Sequence, residues 1–228
     1  MKLLLTSGGL YNQSMVKALA ELVGKPFEQT KVVFIPTAAN AEKGNKWWLV
    51  DDYVRFQMLN LQEFDIVDIA AMPKTWKDRI KDADVIVVGG GNNFYLSYWL
   101  EKSGFFDELE ELLKTKVYVG ISAGSMIVAD SNKISSEVLG KYGTDFVDHE
   151  YEEFGPVGES LDKSAKLVPF AVRPHLNSTF FPKIREVFLA EVAKHLTVPM
   201  YALDDQSALK IIDGNVEVIS EGSWKKYN

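Results

Sequence analysis

Short, strongly apolar runs alternate with longer amphipathic segments along most of this chain, a rhythm met by parallel strands joined through helical crossovers. KLLLT at 2–6, KVVFIPT at 31–37, EFDIVDI at 63–69, DVIVVGGG at 84–91 and KVYVG at 116–120 read as strands. Residues 14–24, 46–61, 74–81 and the stretch running to about 114 have helical spacing between them, with Gly24 placed to cap the first. Strands so continuously apolar require cover on both faces. After residue 130 the pattern loosens, and 131–165 read as loops and short strands around a functional rim. LVPFAVR at 167–173 returns as a strand and 183–196 as an amphipathic helix, while Asp213-Gly214 separates two alternating runs in the manner of a β-hairpin. With no repeat, low-complexity tract or linker, the expected organisation is one α/β domain over residues 1–228.

Composition excludes several partners. The 25 Lys and Arg against 32 Asp and Glu leave a formal charge of −7 with no basic block, a poor match to nucleic acid or anionic membrane. The absence of Cys rules out disulfides, thiolate metal sites and a Cys nucleophile. The apolar run of MKLLLTSGG is too short for a secretory core, and no stretch approaches a membrane span, so the expectation is a cytoplasmic protein. Trp47, Trp48, Tyr53 and Phe56 read either as a helix stripe against the sheet or as an exposed patch for a twin subunit or a substrate wall. The state is expected to be a monomer or homodimer.

The strongest chemical signal is Gly120-Ile121-Ser122-Ala123-Gly124, a G-x-S-x-G placed between an apolar strand and a helical segment. A serine on so tight a strand-to-helix turn projects its hydroxyl at the carboxyl edge of the sheet, and the following helix aims amides at any oxyanion formed there. The bland alternative is a glycine turn with Ser122 as a helix cap. Gly89-Gly90-Gly91-Asn92 follows another strand at the same edge, where bare amides can complete an oxyanion hole with Ala123 or cradle a phosphate.

A serine nucleophile needs a base, and the chain has three His. His195 falls near a helix end and reads as structural; His149 lies in an acidic, solvated stretch; His175, directly after a strand in VRPHLN, is the best base. For the carboxylate that orients the imidazole, Asp130, Glu137, Asp145, Asp148, Glu150, Asp204 and Asp205 all lie in suitable loops, and pattern alone does not choose among them.

Together, VVGGGN at 87–92, VGISAG at 119–124, RPH at 173–175 and ALDDQSAL at 202–209 resemble the α-aspartyl dipeptidase (dipeptidase E) and cyanophycinase-like family of serine peptidases. The resemblance covers most of the chain from residue 84 onward. It implies a three-layer α/β/α sandwich, flavodoxin-like and related to class I glutamine amidotransferase domains, with a mostly parallel sheet. It further implies Ser122 as nucleophile, His175 as general base and then acid, the N–H groups of Gly91 and Ala123 as oxyanion hole, and no cofactor or metal. Aligning the stretch after the elbow selects Glu137 as the carboxylate, although between Glu137 and His175 the chain departs from the family with extra residues that include an acidic run at 148–153. Asn92, Arg173 and Arg185 are the substrate-binding candidates, an Arg being suited to the β-carboxylate of an N-terminal Asp. The expected substrates are short peptides, dipeptides with N-terminal Asp foremost. The rivals are a cyanophycinase-like peptidase acting on Asp-Arg units, another amidase or esterase using the same elbow, and a non-catalytic ligand-binding module.

Overall fold

The computed structural model describes residues 1–130 and 163–228. Seven strands form the main sheet: β1 (Lys2–Thr6), β2 (Lys31–Ile35), β3 (Glu63–Ile66), β4 (Val85–Val88), β5 (Val117–Ile121), β8 (Ser207–Ile212) and β9 (Asn215–Ser220). Their order is β3-β2-β4-β5-β1-β8-β9. The first five run parallel, while β8 pairs antiparallel with β1 and β9 antiparallel with β8, so the sheet is mixed but mostly parallel. A smaller sheet pairs β6 (Ala171–Arg173) parallel with β7 (Met200–Leu203), and β7 antiparallel with β10 (Trp224–Tyr227).

Alternation along the buried strands explains the layers. Leu3 and Leu5, Val33 and Ile35, Ile86 and Val88 enter one core with residues of α4 (Trp76–Ile80), α5 (Asn93–Lys102) and α6 (Phe105–Leu112). Their neighbours Leu4, Val32, Phe34, Val85 and Val87 enter another with α1 (Gln13–Val23), Ala39 of α2 (Thr37–Asn40) and α3 (Trp47–Gln57). A strand flanked this way has no polar face, which is why its sequence is uninterruptedly apolar. The expected three-layer α/β/α sandwich is thus what these residues build.

The punctuation also follows local chemistry. Gly24 ends α1 in the left-handed region (φ 72°) with its N–H on the Ala20 carbonyl. Asp213 and Gly214 both have positive φ, 48° and 86°, as a two-residue type I′ hairpin turn requires. Two expected elements are shorter than their patterns. The strand at 167–173 is confined to Ala171–Arg173, because Pro169 has no N–H to give a ladder and the Leu167 N–H goes instead to Val128. The helix expected over 183–196 spans Glu186–Ala193, named α8 below, since Arg185 is extended and serves as its N-cap. The aromatic stripe divides: Phe56 is fully buried and Tyr53 packs edge-on to Phe34 at 4.9 Å, whereas Trp47 and Trp48 line a cleft. Among the described residues no helix is long and apolar enough to cross a membrane.

Candidate active site

Ser122 occupies a sharp turn between β5 and the short helix α7 (Ala123–Met126), with φ 49° and ψ −110°, a conformation that a non-glycine residue holds only where its surroundings enforce it. The enforcement is visible. The Ser122 N–H donates to the Thr6 carbonyl (3.1 Å), and the Ser122 carbonyl accepts from the N–H groups of Ser125 and Met126. The hydroxyl of fully buried Tyr118 donates to the Gly124 carbonyl (2.7 Å). The flanking glycines are there for space. A Cβ on Gly124 would lie 1.9 Å from the Val88 carbonyl oxygen, and one on Gly120 would lie 2.7 Å from Gly124 and Ser125 backbone atoms.

His175 and Asp205 reach Ser122 from the second sheet. They follow the carboxyl ends of β6 and β7, parallel neighbours in which Arg173 stands opposite Ala202. The Leu176 N–H bonds the Leu203 carbonyl (2.9 Å), fixing one strand end against the other. His175 Nε2 is 2.9 Å from Ser122 Oγ, and its Nδ1 is 2.7 Å from Asp205 Oδ1. Phe181 stacks on the imidazole, with ring centroids 4.2 Å apart and planes 10° from parallel. Ser7, just past β1, closes the arrangement: its hydroxyl accepts from the His175 N–H (2.8 Å) and donates to Asp205 Oδ1 (2.7 Å). Burial works against ionisation of Asp205, but the hydrogen bond and charge of His175 and the hydrogen bond from Ser7 outweigh it and hold the carboxyl below its ordinary range.

The carboxylate on His175 is therefore Asp205, one of seven that pattern left open, while Glu137, favoured by alignment, lies outside the described residues together with His149 and the acidic run at 148–153. Neighbouring Asp204 has different work. It accepts from the Gln206 and Ser223 N–H groups and the Ser207 hydroxyl, ordering the turn that presents Asp205. His195 lies exposed just beyond α8, its N–H on the Val192 carbonyl.

The glycine run at the end of β4 passes beside the serine: a Cβ on Gly90 would lie 3.2 Å from Ser122 Cβ. Gly91, at φ 127°, packs so tightly on Ala38 that a side chain would overlap it. Ala123 opens α7, so its N–H is among those a helix start leaves without an intrahelical partner. Asn92 lines the cleft but commits Oδ1 to capping α5 through the Tyr95 N–H (2.8 Å). The two candidate arginines separate. Arg173 lines the cleft, whereas Arg185 turns Nη1 to the carbonyls of Ser178, Phe181 and Ile184 and braces the loop that carries Phe181. A substrate carboxylate at Arg185 would have to displace those bonds.

The cleft over Ser122 measures about 820 Å³, within the range usual for small-molecule sites. Tyr11, Asp51 and Asp52 also line it. Arg55 chelates Asp51 through Nε and Nη2 and lies 4.1 Å over the Tyr11 ring. Asp52 is 5% exposed, and its burial, opposed by Arg55 and reinforced by Asp51, pushes the carboxyl up to about 8. Sequence reasoning passed over both Ser7 and Asp52. One reads as turn punctuation and the other as a polar helix position, and neither carries a local signal.

Comparison with known proteins places the chain in a family. The family model described as peptidase family S51 matches residues 3–219. The Peptidase E of a Nostoc species is 26% identical over 198 residues, 83% of this chain and 72% of the relative. The Peptidase E of Shewanella putrefaciens is 28% identical over 200 residues, 84% and 75% of the two chains. In overall fold the chain is similar to the solved structure of a candidate Peptidase E from Listeria monocytogenes EGD-e, with a TM-score of 0.74 and 24% identity over 97% of this chain and 98% of that one.

Proposed function

The chain belongs to peptidase family S51 and is a peptidase, and we propose that it is a serine peptidase cleaving short peptides through Ser122, His175 and Asp205, with N-terminal-Asp dipeptides as its substrates. The observation that carries this reading is the unbroken relay from Ser122 Oγ through both imidazole nitrogens to Asp205. With Asp205 accepting at Nδ1, the proton sits on that nitrogen and Nε2 presents its lone pair to the hydroxyl. His175 takes the Ser122 proton as Oγ attacks the scissile carbonyl. The resulting oxyanion rests on the N–H groups of Ala123 and Gly91. The imidazolium returns its proton to the departing amine, and a water activated by the same nitrogen releases the acyl group.

Specificity for N-terminal Asp is assigned to Arg173, which ends β6 two residues before His175 and lines the cleft. Its planar fork matches a substrate β-carboxylate bidentately.

A dipeptide library containing Asp, isoAsp and Asp-Arg members, run with the wild type and Ser122→Ala, tests both levels. Turnover confined to N-terminal Asp and absent from the variant is the expected result. Cleavage of β-linked Asp-Arg in its place would overturn the substrate, and full activity in Ser122→Ala would overturn the nucleophile.

A further inference from the structure

Two large apolar rings stand open at the mouth of the cleft. Trp47, the first residue of α3, is 46% exposed, and Phe180, on the loop before α8, is 70% exposed. They come from segments far apart in the chain, and their ring centroids lie 5.6 Å apart at an interplanar angle of 50°. Both line the same cleft as Ser122. Hydrophobic surface left in water at a binding site is surface a ligand can cover, and tilted rings at this separation accept a third ring or a branched aliphatic chain at edge or face.

The chain also fixes which end of a substrate meets them. His175 delivers the proton to the departing amine, so the leaving residue lies on the imidazole side of Ser122. Phe181 stacks on that imidazole, and Phe180 is its immediate neighbour in a loop braced by Arg185 on three carbonyls. The loop that covers the imidazole thus also carries one ring of the open pair. Resting on the serine-peptidase reading above, we propose that Trp47 and Phe180 form an aromatic subsite for the residue C-terminal to the scissile bond, selecting substrates with a large apolar, above all aromatic, side chain there.

The test uses two sets of dipeptides, Xaa-Phe and Xaa-Gly, with each amino acid in turn at Xaa, and reads the ratio of kcat/KM between the sets. The wild type should favour Phe by about tenfold. That ratio should fall toward one in Trp47→Ala and in Phe180→Ala, and be largely restored in Trp47→Phe. Hydrolysis with no preference, or with a preference that both alanine variants keep, would overturn the subsite and leave the peptidase reading intact. A pair that proves to be a subunit contact, so that the alanine variants change sedimentation without changing the ratio, would overturn it equally. If no dipeptide is cleaved, the peptidase reading fails for dipeptides, and calorimetric binding of the same sets to Ser122→Ala decides the subsite. Tighter binding of Xaa-Phe that is lost in the Ser122→Ala/Trp47→Ala protein supports it; equal or absent binding overturns it.

Discussion

The hydroxyl of Ser7 donates to Asp205 Oδ1 across 2.7 Å, and that oxygen is the one His175 Nδ1 also reaches. Because the same hydroxyl accepts from the His175 N–H, a single side chain on β1's outgoing turn ties the two strand ends of the second sheet to the first. Ser7 is a positioning residue. Its replacement by Ala should lower kcat by about 10- to 100-fold, the loss of one hydrogen bond to a charged group. It should also raise the pH at which the Asp205 carboxyl titrates, followed by NMR on the folded protein, since Ser7 is one of the groups lowering the Asp205 pKa. An unchanged titration would limit Ser7 to packing.

Asp52 and Asp205 pull stability in opposite directions with pH. The folded-state carboxyl of Asp52 lies at about 8 against an ordinary value of 3.8, so between those limits the folded protein holds a proton that the unfolded chain has lost. Stability from this group is greatest below the lower limit and falls as pH rises, by about 1.4 kcal/mol per unit across the window. Asp205 is depressed, so its contribution is present above its unfolded value and is lost as pH falls through the folded one. Asp52→Asn should flatten the decline in urea-unfolding free energy between about pH 5 and 8. Parallel curves for variant and wild type would contradict this placement of the carboxyl.

The adjacent aspartates should separate activity from stability. Asp204→Ala removes the acceptor of two backbone N–H groups and one of the partners of the Ser207 hydroxyl, which keeps the Ser220 hydroxyl and the Ser223 carbonyl. That should destabilise the fold by about 2 kcal/mol, or roughly 4–8 °C in Tm. Asp205→Asn should change Tm far less while abolishing most turnover. The reverse pattern, read by calorimetry and kinetics on both proteins, would exchange their roles.

Two glycines predict different outcomes for one methyl group. Gly124→Ala puts a Cβ 1.9 Å from the Val88 carbonyl oxygen, backbone against backbone in the elbow, and should prevent a stable fold or cost several kcal/mol. Gly24→Ala meets nothing within 4 Å and pays only for its left-handed φ of 72°, about 1 kcal/mol. Similar urea midpoints for the two variants would refute the steric account of the elbow.

What sequence reveals here tracks the range of the interaction. The elbow is legible because its demands are local: a bend, two positions without side chains and a hydroxyl between them all fall within five residues. His175 is legible as a polar residue directly after an apolar run. Its carboxylate is not. Asp205 meets His175 only because β6 and β7 are neighbours in register, a pairing between segments about 30 residues apart, and nothing local distinguishes it from Asp204. The carbonyl partners of Arg185 are hidden for a related reason. A cation at a helix start looks like a ligand for an anion, but the carbonyls it binds appear only once the 178–184 loop has folded over it. The layers were readable from continuous apolarity, whereas the early end of β6's pattern turns on Pro169 and on where the Leu167 amide finds its partner.

The rate at which Ser122 is acylated by a fluorophosphonate, followed by intact mass in wild type, Asp205→Asn and Glu137→Gln, tests the central claim most directly. Labelling should be slowed by about 10³- to 10⁴-fold in Asp205→Asn and unchanged in Glu137→Gln. Wild-type labelling in Asp205→Asn, or its loss in Glu137→Gln, would contradict it.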